Sequence, residues 1–81
     1  MKLPRDVSGE ELVRLLRRYD YVIVRTSGSH IRLTSNLKGS EHHVTIPDHD
    51  PIKVGTLSDI LSDVADYLAV ERSVVVRELF G

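Results

Sequence analysis

Residues 21–35 read YVIVRTSGSHIRLTS, in which two extended runs flank a turn of small residues. The first run, residues 21–26, is β-branched and aromatic, and the second, residues 30–35, alternates apolar and polar side chains. Both patterns predict β-strands. The Ser-Gly-Ser connection at residues 27–29 is short enough for a hairpin. We therefore predict an antiparallel pair of strands in this stretch.

A third strand is predicted at residues 42–47, HHVTIP, which alternate in the same way and stop at a proline. The connection over residues 36–41 contains a glycine and fits a longer hairpin loop, so the three strands form a meander. Successive side chains of a strand point to opposite sides, which assigns the two faces of the sheet. The core-facing set is Ile31, Leu33, Val44 and Ile46. The open-face set is His30, Arg32, Thr34, His43 and Thr45.

Helices are predicted on either side of the strands. Ser8 and Glu11 have capping-box spacing, and the apolar residues after them recur at helical intervals, which predicts a helix over about residues 9–19. Thr56 begins a second cap pattern, before a helix over about residues 57–68. The three consecutive valines near the C-terminus have strand propensity, but the apolar spacing there favours a short terminal helix, which we expect.

The element order α-β-β-β-α, with the short C-terminal helix added, predicts an α+β fold in which two helices cover one face of a three-stranded antiparallel sheet. This is the layout of the double-stranded-RNA-binding domain, although a layout alone does not determine a function. A chain of 81 residues can build one core, so we expect residues 1–81 to form a single domain.

Composition limits the compartment and the partners. The chain has no cysteine, which excludes disulfides and thiolate metal sites and favours a reducing, intracellular compartment. No apolar run approaches the roughly 18 residues of a membrane span, and residues 1–6 lack the apolar core of a signal peptide. We therefore expect a cytoplasmic protein with no membrane partner. A net charge of −1 is unlike that of a general nucleic-acid binder, so contact with nucleic acid would need a local basic patch.

His30 is the strongest candidate for chemistry. An imidazole exchanges protons near neutral pH, because its unperturbed pKa is about 6.5. A position directly after the turn keeps the ring accessible, while Ser29 and the turn amides are suited to orient it or to bind a phosphate oxygen. The alternative is a solvated polar residue at a hairpin corner, and position alone does not separate the two interpretations.

Arg25, Arg32, Lys38 and Lys53 are the cations that can surround His30. On the same side of the sheet they would neutralise a phosphodiester and the charge that develops on it during transfer. The alternative is that they are ordinary solvated charges of strand edges and loops.

A metal site is the other chemistry that the histidines suggest. Residues His42, His43 and His49 lie among the carboxylates of residues 41–50. Adjacent residues of a strand point to opposite faces, however, so His42 and His43 cannot readily ligate one ion. The run also lacks a helical histidine pair and any cysteine. We expect neither a metal nor another cofactor.

Four segments of the chain resemble the HicA family of bacterial and archaeal messenger-RNA interferase toxins, also called YcfA-like proteins. They are GEELVRLLRRYDYVIVR (9–25), GSH (28–30), HVTIPDH (43–49) and KVGTL (53–57), the last followed by SDIL. They occur in the family's order and cover nearly the whole chain. The resemblance implies a fold similar to the double-stranded-RNA-binding domain, metal-independent endoribonuclease activity on messenger RNA, and neutralisation by a HicB-type antitoxin.

The resemblance also implies roles for single residues. The family's catalytic histidine, carried by its Gly-Ser-His motif, falls on His30. The Pro-x-His and Gly-Thr-Leu positions imply mainly structural roles, as a strand stop, a loop and a helix cap. These positions are Pro47, His49, Gly55, Thr56 and Leu57.

Two positions depart from the family's pattern. Asp20 stands where glycine is frequent, which we expect to change only a turn. Thr26 stands where glutamine is frequent, and we expect it near the catalytic histidine, where the change would weaken substrate contacts.

One mechanistic hypothesis follows. RNA carries its own nucleophile, the 2′-hydroxyl, and His30 would act as general base on it or as general acid on the leaving 5′-oxygen. Water or a second group such as His43 would carry the other proton. The residues expected to bind RNA are Arg25, Gly28, Ser29, Arg32, His43 and Lys53. The alternative is a non-catalytic module that binds RNA or protein, such as a degenerate toxin that still pairs with its antitoxin. The sequence indicates no particular oligomeric state.

Overall fold

The computed structural model describes residues 2–81. The predicted order of a helix, three strands and a helix is confirmed, and a short C-terminal helix follows. The elements are α1 (Gly9–Leu16), β1 (Val22–Ser27), β2 (His30–Ser35), β3 (His42–Pro47), α2 (Val54–Leu68) and α3 (Arg72–Phe80). The α+β fold class, with an arrangement like that of the double-stranded-RNA-binding domain, is confirmed. Among residues 2–81, no helix combines the length and the apolar character needed to span a bilayer.

The sheet is antiparallel, with β2 between β1 and β3. The two-residue turn of Gly28 and Ser29 joins β1 to β2, and Gly28 has a φ of 58°. Glycine with a positive φ at the first central position is what a type II′ hairpin turn requires. The predicted hairpin is therefore present. Its turn has two residues, because Ser27, the first residue of the Ser-Gly-Ser segment, belongs to β1.

β1 is an edge strand whose apolar side chains remain in solvent. Val22, Ile23 and Val24 are 57%, 49% and 55% exposed, and within residues 2–81 only β2 pairs with this strand. The register of β1 against β2 shifts between Ile23 and Arg25, so Val24 forms a bulge. A bulge increases local twist and interrupts the regular row of hydrogen-bonding groups along an edge.

The core lies between the other face of the sheet and the helices. All four residues predicted to face it are buried: Ile31, Leu33, Val44 and Ile46. The helices contribute mostly leucine and valine. Their fully buried residues include Leu12, Leu16, Leu57, Leu61, Val64 and Val75. The core is aliphatic apart from the buried Tyr19 and Tyr21.

The predicted start of α1 is correct, whereas the predicted start of α2 is not. The cap of α1 is confirmed, because the Ser8 hydroxyl accepts a hydrogen bond from the backbone N–H of Glu11 at 3.0 Å. The predicted start of α2 is wrong, since the helix begins at Val54 and Thr56 lies inside its first turn. The buried Ile52 anchors the preceding segment, and the Leu57 N–H to Lys53 carbonyl bond closes the first turn directly after it.

Thr34 is buried although it lies on the open face of the sheet. It lies on the open face, as alternation predicts, but it is only 6% exposed. Its neighbours across the central strand are Val22 and His43, whose larger side chains flank the short threonine. Its hydroxyl is hydrogen-bonded to His43 Nδ1 at 2.6 Å. The polar character of a residue therefore does not expose it when it sits between longer side chains.

Candidate active site

His30 is the first residue of β2 and lies on the open face of the sheet with its side chain exposed. Its direct neighbours in the sheet are Ser27 on β1 and Pro47 on β3. The two-residue turn comes immediately before it, so the imidazole stands at the end of the central strand. The predicted accessibility of this residue is present in the structure.

Two arginines occupy the adjacent row of the same face. Arg25 on β1 pairs with Arg32 on β2, and Arg32 pairs with Thr45 on β3. Because a strand rises about 3.4 Å per residue, this row lies roughly 7 Å from the row of His30. Together with Ser27, these residues line a shallow groove that includes His30.

A second groove begins on the other side of the imidazole. It is lined by His30, Thr45, Pro47, His49, Lys53 and Thr56. Because His30 and Thr45 line both depressions, we treat them as one feature, the His30 groove, defined by these residues together with Arg25, Ser27 and Arg32. Three cations and two imidazoles line the His30 groove, and no carboxylate is among its lining residues.

Backbone hydrogen bonds fix the loop after β3 against this end of the sheet. The N–H of Asp48 donates to the carbonyl of Ser29 at 2.6 Å, and the N–H of Gly9 donates to the carbonyl of His49 at 2.9 Å. A Cβ at Gly9 would collide with the carbonyl oxygen of Pro47. Glycine at the start of α1 therefore permits the close approach that holds His49 in place.

The remaining predicted RNA-binding residues lie in different places. Gly28 and Ser29 form the turn beside His30, where the Ser29 carbonyl is occupied by Asp48. His43 lies outside the His30 groove. It is paired with Thr34, which is four residues along β2 from His30. Its Nε2 is 2.8 Å from a carboxylate oxygen of Glu41. The structure thus brings Arg25, Arg32 and Lys53 together with His30 but separates His43 from them.

His42 points to the opposite face, as strand alternation predicts. The Tyr21 hydroxyl is hydrogen-bonded to His42 Nδ1 at 2.7 Å, and burial, with smaller contributions from Tyr67 and Asp63, raises the pKa of this phenol. His42 Nε2 then faces Asp63 Oδ1 at 3.2 Å. The ring also stacks on Tyr67, with centroids 4.6 Å apart. This network joins β3 to α2 and uses both nitrogens of His42.

Within residues 2–81, the histidines and carboxylates that could act as metal ligands do not cluster at one point. Among residues 2–81, no group of three or more histidines and carboxylates is close enough to hold a metal ion. His42 and His43 are adjacent residues of β3 and so point to opposite faces, where they are hydrogen-bonded to Tyr21 and Thr34 respectively.

The two departures from the resemblance have different structural meanings. Asp20 has a φ of 65°, in the left-handed region that favours glycine, and it ends the 3₁₀ turn before β1. Thr26 pairs with Ile31, which is a core-facing residue, so it lies on the face opposite His30. Thr26 is therefore near His30 in the strand pair, as expected, but on the face away from the His30 groove, because proximity in sequence is not proximity on one face.

Sequence reasoning missed the position of His49. The resemblance implies a structural loop role for this residue, but it lines the His30 groove. The strand register indicates only that the chain after Pro47 leaves the sheet at the end where His30 lies, and the Asp48–Ser29 hydrogen bond that keeps it beside β2 has no signal in the sequence.

Comparison with known proteins adds the family. A family model described as the HicA toxin of bacterial toxin-antitoxin systems matches residues 9–65, a range that includes every residue of the His30 groove. Neither the curated proteins nor the solved structures yielded a match.

Proposed function

This chain belongs to the HicA family of toxins of toxin–antitoxin systems, and from that premise we propose that it is a metal-independent endoribonuclease that cleaves messenger RNA. Membership of the family also means that the protein pairs with an antitoxin.

Support comes first from the position of His30, which carries the proposal. An exposed imidazole at the end of the central strand shares a groove with Arg25, Arg32 and Lys53. Guanidinium and ammonium groups form charge-assisted hydrogen bonds with phosphate oxygens, and they stabilise negative charge that develops in a transition state. A proton-transfer group beside a phosphate-binding surface is what cleavage of a phosphodiester needs.

RNA supplies the nucleophile for this reaction. The 2′-hydroxyl attacks the adjacent phosphorus, the P–O5′ bond breaks, and the products are a 2′,3′-cyclic phosphate and a 5′-hydroxyl. His30 would take the proton from the 2′-oxygen or give one to the 5′-oxygen. General acid or base assistance of this kind contributes about 10²–10⁴-fold to the rate. No metal ion is required by this chemistry.

The local charge explains how a chain with net charge −1 can hold RNA. Charges separated by more than about 10 Å are largely screened at 0.1 M salt, so distant acidic residues contribute little at the groove, whereas Asp48 and Asp50, the chain neighbours of His49, lie close to it. The cations of the groove act on a phosphate at close range. Binding should therefore weaken as salt rises, because phosphate contacts release counterions.

The partner is proposed to be a HicB-type antitoxin that covers the His30 groove. Carboxylates of the antitoxin would complement Arg25 and Arg32 and exclude RNA from His30. Adding the antitoxin to the protein should stop cleavage, and Arg32→Glu should weaken the complex more at low salt than at high salt. A complex in which the imidazole stays open to RNA would contradict this account of inhibition.

The experiment that tests the nuclease proposal uses purified protein and a long unstructured RNA in EDTA. We expect cleavage that leaves cyclic-phosphate and 5′-hydroxyl ends, and we expect His30→Ala to abolish it while circular dichroism shows an unchanged fold. Cleavage by a folded His30→Ala variant would exclude the assigned role of His30. Binding of RNA or antitoxin by the native protein without cleavage would instead support a non-catalytic module.

A further inference from the structure

We infer that His49 is the second proton-transfer group of the RNA cleavage reaction, working as a pair with His30. The inference rests on the proposed nuclease function and assigns the step that one imidazole cannot perform alone. Attack by the 2′-hydroxyl and departure of the 5′-oxygen occur at two different oxygens. Each of them needs its own proton transfer in the same displacement.

The backbone places the two histidines at the same end of the sheet. His30 is paired directly with Pro47, and His49 follows Pro47 by two residues. After β3 ends at Pro47, the chain stays beside the start of β2, because the Asp48 N–H donates to the Ser29 carbonyl at 2.6 Å. Both imidazoles line the same groove as a result.

The side chains of His30 and His49 are also chemically free. Both residues are exposed, and within residues 2–81 neither ring has a hydrogen-bond or ion-pair partner. The rings of His42 and His43, in contrast, are held by Tyr21 and Asp63 and by Thr34 and Glu41. A ring that is to exchange protons with a substrate must have a nitrogen available for it.

His43 is a poorer candidate for the same role. It is paired with Thr34, four residues along β2 from His30, which places it about 14 Å away at 3.4 Å per residue. One phosphodiester cannot contact both rings over that separation. Among the side chains of the His30 groove, only the two histidines are of the type that changes charge near neutral pH.

The proposed step balances without any co-reactant. A neutral imidazole of one histidine accepts the 2′-hydroxyl proton as the O2′–P bond forms. The imidazolium of the other donates its proton to O5′ as the P–O5′ bond breaks. The pair ends the step with its protonation states exchanged, and solvent restores them. Lys53, in the same groove, supplies fixed positive charge to the phosphate.

The first test compares His49→Ala, His49→Gln and native protein in single-turnover cleavage of RNA across pH. We expect each variant to be slower by about 10²–10⁴-fold and to lose one limb of the bell-shaped rate profile. Glutamine can position a phosphate by hydrogen bonding but cannot transfer the proton, so it should not restore the rate. Asp59→Ala, at an exposed position on α2 outside the groove, is the matched surface control.

The second test uses RNA with sulfur in place of the 5′-oxygen at the scissile bond. A thiolate leaves without protonation, so the variant that lacks the general acid should cleave this substrate at close to the native rate. We expect rescue of His49→Ala or of His30→Ala, but not of both, and the rescued variant identifies the acid.

The outcomes separate this inference from the function on which it rests. If native protein does not cleave RNA, the proposed function fails. If native protein cleaves but His49→Ala retains the native rate, or keeps both limbs of the profile, the inference fails and the function stands. Restoration by glutamine would likewise overturn it, because it would show a positioning role. Circular dichroism of both variants should be unchanged, because His49 is exposed and its side chain has no hydrogen-bond or ion-pair partner within residues 2–81.

Discussion

Arg25 on β1 and Arg32 on β2 are direct cross-strand partners, so two positive charges stand opposite each other in the row next to His30. Like charges directly opposite in a sheet destabilise the fold. Neither arginine forms an ion pair with a carboxylate among residues 2–81. A phosphate bound between the guanidinium groups would remove this repulsion.

The arginine pair predicts opposite effects on stability and activity. Arg25→Gln and Arg32→Gln should each raise the free energy of unfolding by about 0.5 kcal/mol, since repulsion is relieved. Each should lower kcat/KM for RNA by roughly 10–100-fold, because a charge-assisted hydrogen bond to phosphate contributes about 1.5–3 kcal/mol. Urea denaturation and steady-state cleavage measure the two effects. Lys38→Gln, in the loop between β2 and β3, should change neither; unchanged cleavage by both arginine variants would contradict the assignment.

The close approach of Gly9 to Pro47 predicts that a larger residue at the start of α1 will disturb the loop that carries His49 into the groove. Gly9→Ala places a methyl group against the Pro47 carbonyl and should destabilise the fold by about 1–3 kcal/mol, as overpacking does. Cleavage should slow as well, because the displaced loop carries His49. Gly55→Ala is the control, since a Cβ at Gly55 meets nothing within 4 Å, and it should not lower the melting temperature. Equal stabilities of the two variants would show that the collision is relieved by some other movement.

Tyr19 and Tyr21 predict a loss of stability at alkaline pH. Burial raises the pKa of both phenols above the ordinary value of 10.0, and at Tyr19 the hydrogen bond to Glu78 adds to the effect. The unfolded chain therefore loses these protons first, so their stabilisation is complete below about pH 10 and is lost as the pH rises further. Each tyrosine contributes a slope of up to about 1.4 kcal/mol per pH unit. Urea denaturation between pH 8 and 11 should show a shallower decline for Tyr19→Phe, and an identical decline would exclude Tyr19 as a cause.

Ala69 predicts a gain in stability. It ends α2 with a φ of 59°, a left-handed conformation that costs a residue with a Cβ about 1–2 kcal/mol. Ala69→Gly should therefore raise the free energy of unfolding by about 1 kcal/mol, after the greater chain entropy of glycine is deducted. Asp20→Gly should gain less, because aspartate tolerates this conformation better than alanine. Thermal denaturation measures both; a lower melting temperature for Ala69→Gly would contradict the expectation.

The sheet and the position of His30 could be predicted because local rules determine them. Period-two alternation assigned Ile31 and Leu33 to the core, and both are buried. A short glycine-containing segment required a tight turn, and Gly28 adopts the positive φ that such a turn uses. These features depend on neighbours in the chain, so the sequence alone carries them.

The start of α2 and the place of His49 depend on contacts between distant residues. Ile52 is buried by the tertiary core, and Asp48 is held by Ser29 across the sheet end. No periodicity exists in residues 48–53 that would report either contact. The distance of His43 from His30, in contrast, could have been counted from the register, because pairing residue 30 with 47 pairs residue 34 with 43.

The uncovered outer side of β1 has a consequence for handling the protein in the laboratory. Exposed valine and isoleucine side chains beside unpaired amides are a template onto which a strand of another molecule can add. Storage life of the isolated protein should therefore be set by its concentration more than by its melting temperature. A lysine at Val22 would be the simplest remedy, since charge on an edge discourages aggregation without touching the groove.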